Sequence, residues 1–332
     1  MLFRESNQTL RPFCSNAGVI CRSYSLPLQR VVTDFAADLP YAKAVAKVKE
    51  HYGISLSASS IRQTTMTHAQ VLYDNETLNI LPACSEKTGT IIAEMDGCMV
   101  PAVQVNEEND DKRKGKTLVW KELKLCLAHS ASSNEPFFGG TFSGGVNKAG
   151  DQLQQCAKLA GFGEEAQLHA VGDGAKWIAD QIEEQFGTKG SYLIDFFHLC
   201  DYLSEASPQN EEVEGTWYKE QKALLKSGKA EQVIDALKTR IEPENEEAPV
   251  YKCYRYMTNR KEQLFYEEAL KKKLPIGSGE IESAHRYVVQ HRFKLAGAWW
   301  KSENIDCMLS LQLNRANNFW DDYWDNLAAI AA

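Results

Sequence analysis

Gln167-Leu-His-Ala-Val-Gly-Asp-Gly174 and Ser191-Tyr-Leu-Ile-Asp-Phe-Phe-His198, joined by a helical stretch from Ala175 to Phe186, decide the reading of the fold. Both are short apolar runs rich in β-branched and aromatic residues, bounded by glycine and polar residues, so they read as strands. The first ends on Asp173, flanked by two glycines.

Upstream, Thr90-Ile-Ile-Ala-Glu-Met-Asp-Gly-Cys-Met-Val-Pro101 reads as a strand with a bulge or turn near Gly97, and Leu118 to Ala128 as a second strand. The polar tip between them, Glu107 to Lys116, reads as a solvated turn, with a finger reaching toward DNA as the alternative. Phe137-Phe-Gly-Gly adds a third strand and residues 148–161 a helix. Strand, strand, strand, helix, strand, helix, strand, helix is the order of a ribonuclease H-like α/β fold, a mixed sheet between helices. Residues 199–272 are polar and helical, an insertion into that core, and 273–332 supply its closing helices.

The core (88–198 in its first part) is preceded by an all-α region at 26–75, behind an irregular segment at 1–25. Apolar residues recur at helical spacing from Leu26, a second helix runs from Tyr41 to Tyr52 and stops at Gly53, and serines cap a third that reaches about Tyr73. Helix, glycine turn, capped helix is a helix-turn-helix-like layout, whose last helix, carrying Arg62, would face DNA. A plain three-helix bundle reads the same way.

The 332 residues, 43% hydrophobic and 25% charged, are those of an ordinary globular chain, which excludes disordered and collagen-like classes. No apolar run approaches the roughly 20 residues of a membrane span, and the N-terminus has no signal layout, so a cytoplasmic location is expected. Nine scattered cysteines read as buried or incidental thiols rather than a disulfide framework. The net charge of −8 argues mildly against nucleic acid, but its distribution reverses that. Residues 1–70 carry eight bases and four acids, and 268–301 seven bases and three acids, on either side of a 201–250 stretch with twelve acids and six bases.

Asp96 and Asp173 sit where strands should end, each beside a glycine that lets another group approach, and Glu282 opens a helix after Gly277-Ser-Gly279. Three carboxylates converging from separate segments suit Mg²⁺, an oxygen-seeking ion, and two such ions activate an attacking oxygen and stabilise a leaving one in phosphoryl transfer. The plainer alternative is two common turn sequences and a first-turn acid favoured by the helix dipole.

Four strings tip this balance: Met95-Asp-Gly97, His169-Ala-Val-Gly-Asp-Gly-Ala-Lys-Trp177, Ile194-Asp-Phe-Phe-His198, and Pro275-Ile-Gly-Ser-Gly-Glu-Ile-Glu-Ser-Ala-His-Arg-Tyr287 with Arg292-Phe-Lys-Leu-Ala-Gly-Ala-Trp-Trp300. In this order they resemble the DDE transposases of bacterial insertion sequences, most closely the Kra group, over residues 20–325. The resemblance implies a Mg²⁺-dependent enzyme, with Mn²⁺ as substitute, that cleaves and joins the ends of its element. Asp96, Asp173 and Glu282 match the metal-binding acids, and Asp195 with His198 the Asp-x-x-His signature. Its partners would be double-stranded DNA, as terminal inverted repeats and target, and further copies of itself; bound, it would be nucleoid-associated.

Glu280 is the neighbour that could be mistaken for Glu282. His198 reads as a packed residue or as one orienting the acids or DNA. Trp299 and Trp300 read as core, with base stacking the alternative, and Arg292 and Lys294 as candidate phosphate contacts. The competing functions are a catalytically inactive DNA-binding remnant or regulator and a ribonuclease H-like repair nuclease. Metal-dependent strand transfer separates the enzyme from both.

Overall fold

The computed structural model describes residues 3–5, 8–10, 24–75, 89–105, 115–208, 211–242 and 245–331. It is a mixed α/β structure. Residues 3–5 and 8–10, inside the segment expected to be irregular, form a two-stranded antiparallel pair, β1 and β2. Three helices follow: α1 (Leu26–Asp38), α2 (Tyr41–Tyr52) and α3 (Ala58–Asp74). Gly53 closes α2 in the left-handed conformation at φ 67°, and the Ser57 hydroxyl accepts the Ser60 N–H to cap α3.

The main sheet runs β5 (Phe137–Thr141), β4 (Lys116–Ser130), β3 (Thr90–Val105), β6 (Gln167–Gly172), β7 (Gly190–Ile194). The first three are antiparallel neighbours; β6 and β7 run parallel to β3. Contrary to the expected break at Gly97, β3 pairs with β4 without interruption from Ile91 to Val105. At Gly97 the exposed Glu122 side chain of β4 lies over the strand, in the space a Cβ would take. The polar tip at 107–116 falls almost wholly outside the described residues.

Alternation along the strands sends Ile91, Ala93 and Met95 to one face, against α4 (Gly145–Leu159) and α5 (Lys176–Phe186). The other face lies under a helix that begins as α11 (Gly279–Ala284), continues through a π-helical stretch (His285–Gln290) and ends at His291–Phe293. The strand expected to reach His198 stops at Ile194, and Phe196 opens α6 (Phe196–Glu205), because the Asp195 carboxylate caps that helix. The insertion, α7 (Glu211–Lys226), α8 (Ala230–Lys238), α9 (Pro249–Thr258) and α10 (Tyr266–Lys271), has its own core around Val233, Leu237, Met257 and Tyr266. A short strand, β8 (Trp300–Lys301), unexpected from sequence, pairs with β3 at Ala102 and Val103; α12 (Ile305–Ala316) and α13 (Trp320–Ala331) complete the chain. Cys98, Cys126, Cys156, Cys200, Cys253 and Cys307 are free and buried. Among the described residues no helix is long and apolar enough to cross a membrane.

The helical bundle is part of the main core. Ala37, Ala69 and Leu72 share one buried cluster with β3, β4 and α12. Polar contacts fix the docking: Arg315 pairs with Asp34 at 3.0 Å and Asp38 at 2.6 Å, and Gln312 donates to the Ala37 carbonyl at 2.7 Å. His68 lies buried with Nδ1 2.8 Å from the Tyr323 hydroxyl and Nε2 2.9 Å from Gln29 Oε1. Gln29 donates its amide to the Tyr24 carbonyl, leaving Oε1 to accept from His68, so a neutral imidazole is satisfied at both nitrogens.

Burial holds the His68 pKa down to about 4. An unfolded histidine titrates near 6.5, so between these values the unfolded chain binds the extra proton. The neutral His68 contribution is therefore present above about pH 6.5 and lost as pH falls toward 4. Thermal unfolding at pH 7 and pH 5 should show a larger drop in Tm for the wild type than for His68→Gln; equal drops would contradict this.

Candidate active site

The pair Glu94↔Val171 in β3 and β6 continues as Val171↔Leu193 into β7. Two residues further along lie Asp96, in the middle of β3 rather than at the strand end expected from sequence, and Asp173 and Asp195, each one residue past the end of β6 and β7. Residues paired across strands share a face, and Glu94 and Asp96 share it by alternation. It is the face covered by α11, which carries Glu282.

Each acid is used differently. Asp195 is buried: one oxygen accepts the Phe197 and His198 N–H groups at 2.6 and 2.9 Å, the other accepts the Ser278 N–H at 2.5 Å and its hydroxyl at 2.6 Å. Its carboxylate thus holds the start of α11. Asp173 accepts the Ala175 N–H at 2.8 Å through one oxygen. The turn after it is held from the insertion: Tyr256 donates its hydroxyl to the Asp173 carbonyl at 2.6 Å, and Arg260 donates Nε–H to the Gly174 carbonyl at 2.8 Å. Gly174 sits at φ 86°, and a Cβ there would strike both side chains, so glycine is required on two counts. Asp96, with its side chain 35% exposed, accepts the Gly97 N–H at 2.7 Å and lies 3.3 Å from His285 Nε2. Burial works against charge on His285, but the Asp96 and Cys98 contacts outweigh it and raise its pKa to about 9. Glu282 is exposed on α11.

The Pro275–Ser278 segment is stitched across the strand ends. His169 donates Nε2–H to the Pro275 carbonyl at 2.8 Å, and Phe196 its N–H to the Ile276 carbonyl at 2.8 Å. Gly277 is needed there because a Cβ would meet the Phe197 ring at 2.8 Å. Two further acids lie on β3 and α11. Glu94, buried, accepts the Ile281 N–H at 2.7 Å; burial raises its pKa to about 8, so it adds little negative charge at neutral pH. Glu280 turns to His129, with Oε2 3.1 Å from Nε2. Among the described residues no group of three or more His, Cys, Asp and Glu side chains is arranged to hold a metal ion. Mg²⁺ commonly takes one or two carboxylates and completes its shell with water and substrate phosphates, so carboxylates such as those of Asp96 and Asp173 are of the chemical type it uses.

The supporting candidates fall in three places. His198 packs edge-on against Tyr202 and Tyr256, whose rings stack on each other at 4.3 Å. Arg292 is 2% exposed, donates to the Ala36 carbonyl at 3.1 Å and stacks on Tyr41 and Trp300; so buried, it is not the phosphate contact expected from sequence. Lys294 is exposed, with its ammonium close enough to the Cys98 thiol to help lower that pKa against burial. Trp300, in β8, is buried, and Trp299, just before that strand, is exposed. Arg62 is exposed on α3. Sequence reasoning missed Glu94, His285, Tyr256 and Arg260. Glu94 could have been found by its spacing of two from Asp96; the others come close to the site only through the fold.

A family model described as "Uncharacterised protein family (UPF0236)" matches residues 162–320, a span that includes Asp173, Asp195 and Glu282 but neither Asp96 nor the bundle. No curated protein matches the chain. Among solved structures, the Drosophila P element transposase strand transfer complex is similar at TM-score 0.34 and 11% identity, over 92% of this chain and 80% of that one.

The Glu280 pairing has a measurable sign. Burial disfavours charge on His129, but Glu280 and the Ser130 and Ser133 carbonyls outweigh it and raise the pKa to about 9. The stabilisation is complete below about pH 6.5 and is lost as pH rises through 9. In an NMR titration Glu280→Gln should move the His129 pKa down by a unit or more, whereas Glu282→Gln should leave it in place. The reverse pattern would mean that the two glutamates have been exchanged.

Proposed function

We propose that this chain is a transposase that cleaves and rejoins DNA, with a ribonuclease H-like core in which Asp96, Asp173 and Glu282 are the catalytic acids. What supports the reading is that β3, which carries Asp96, and β6, which Asp173 directly follows, are neighbouring parallel strands, and that Glu94 of β3 is hydrogen-bonded to Ile281 of the helix bearing Glu282. The strand order, three antiparallel strands followed by two parallel to the first, agrees with that core. Carboxylates carried on neighbouring strands, without a basic partner for each, are a poor choice for stability alone and suit a cation and a polyanionic substrate.

Asp96 and Asp173 would hold Mg²⁺, or Mn²⁺ in its place, and Glu282 would approach from α11. When bound, the ion supplies an activated oxygen nucleophile and charge stabilisation for in-line displacement at phosphorus. The chain's own residues do the rest. Asp195 fixes where α11 starts, Tyr256 and Arg260 fix the turn carrying Asp173, and Glu94 anchors the backbone of Ile281. The outward side of α3, with Ser59, Arg62, Gln63 and Thr67 lining one groove, offers hydrogen-bonding side chains for the edges of base pairs. Double-stranded DNA is the partner this implies, held by more than one copy of the chain if two element ends are joined.

Asp96→Asn, Asp173→Asn and Glu282→Gln should each abolish nicking of a duplex carrying the element's terminal repeat in Mg²⁺ or Mn²⁺. DNA affinity should stay equal or rise, because a negative charge beside a polyanion is removed. Wild-type binding without cleavage in either metal would replace the enzyme with a DNA-binding regulator.

A further inference from the structure

A second cleft lies away from the acids, where the bundle meets the β8 turn. It encloses about 340 Å³ and brings together residues distant in sequence: Tyr41 from the start of α2, Arg62 and Met66 from α3, and Trp299, Lys301 and Asn304 around β8. That volume falls in the range of small-ligand sites, roughly 300–1,000 Å³. Its chemistry is one-sided. The lining includes Arg62, Arg292 and Lys301 and no acid, in a chain whose net charge is −8.

The walls are rigid where they must be. Arg292 is sandwiched with its guanidinium 5.2 Å from the Tyr41 ring and 4.6 Å from the Trp300 ring, and is tied to the bundle through the Ala36 carbonyl. Trp300 is locked into the sheet by the Ala102 pairing, and Trp299, just before that strand, has 59% of its surface exposed. Lys301 pairs with the exposed Glu303 at 3.1 Å, a surface contact weak enough for a phosphate to displace. An exposed indole beside two available cations is what a nucleotide needs: a π-face for the base and positive charge for the phosphate. A duplex is far too wide to enter; a single base is not.

We propose that this cleft takes one unpaired nucleotide of bound DNA, its base against Trp299 and its phosphate on Arg62 and Lys301. The proposal rests on the DNA-binding reading above, and it is independent of the acids. The junction between bundle and core would then hold a frayed or overhanging base while the duplex lies across the outer surface.

The test compares a blunt duplex with the same duplex bearing a three-nucleotide single-stranded overhang that contains 2-aminopurine. Affinity is read by anisotropy and base environment by fluorescence, for the full chain. Wild type should bind the overhang about tenfold more tightly than the blunt end, the size expected for one stacked base, and quench 2-aminopurine. Trp299→Ala should lose both the preference and the quenching while keeping blunt-duplex affinity, and Trp299→Phe should keep most of the preference. Lys301→Ala should weaken overhang binding and lower its salt dependence by about one counterion. If Trp299→Ala retains the preference, or if wild type binds both duplexes equally, the cleft proposal is overturned and the DNA reading stands. If wild type binds neither, both fall.

Discussion

Three parts of the chain meet at the carboxylate of Asp195. It terminates β7, opens α6 by accepting two backbone N–H groups, and accepts the backbone and hydroxyl of Ser278, 83 residues on. Hydrogen bonds to a charged group are worth about 1.5–3 kcal/mol each, and leaving a buried donor unmatched costs a similar amount. Four donors on one buried carboxylate therefore make this junction dear to open, and they fix where the helix bearing Glu282 begins. The insertion closes on the other side through Tyr256 and Arg260, so the turn carrying Asp173 is held between the sheet and α9. Without these constraints the acids placed by the sheet would face loops free to wander.

The bundle is constrained in the same manner. A recognition module on a flexible tether could sample many orientations, whereas here α3 packs along α12 and contributes Ala69 and Leu72 to the central core. The position of the outward side of α3 relative to the sheet that carries Asp96 is thereby fixed by packing. The cleft at Trp299 follows from the same docking, since one wall is bundle and the other is the edge of the sheet.

Much of this was legible in the sequence where a local rule acts alone. Gly53 and Ser57 end and begin helices because a left-handed turn and a hydroxyl cap are local requirements. The strand positions followed from short apolar runs bounded by glycine and polar residues. What failed to show was decided at a distance. Gly97 signals a bulge locally, yet β4 keeps it in register. Phe196-Phe197-His198 continues an apolar run, yet Asp195 turns it into helix. Arg292 looks like a phosphate ligand on a basic helix, yet Tyr41 and Trp300, one far upstream and one in an unforeseen strand, bury it. Asp173 does follow the end of its strand, as its glycine neighbours suggested, whereas Asp96 lies within β3, which the pairing with β4 carries on to Val105.

The central claim is that Asp96 within β3 and Asp173 just past the end of the neighbouring β6 share a cation site. Anomalous diffraction from crystals of the full chain grown with Mn²⁺ and a DNA duplex tests it directly. The account predicts a Mn²⁺ peak ligated by carboxylate oxygens of both Asp96 and Asp173, with a DNA phosphate in its shell. A fully ordered complex with no peak there, or with Mn²⁺ held by other acids, would contradict it.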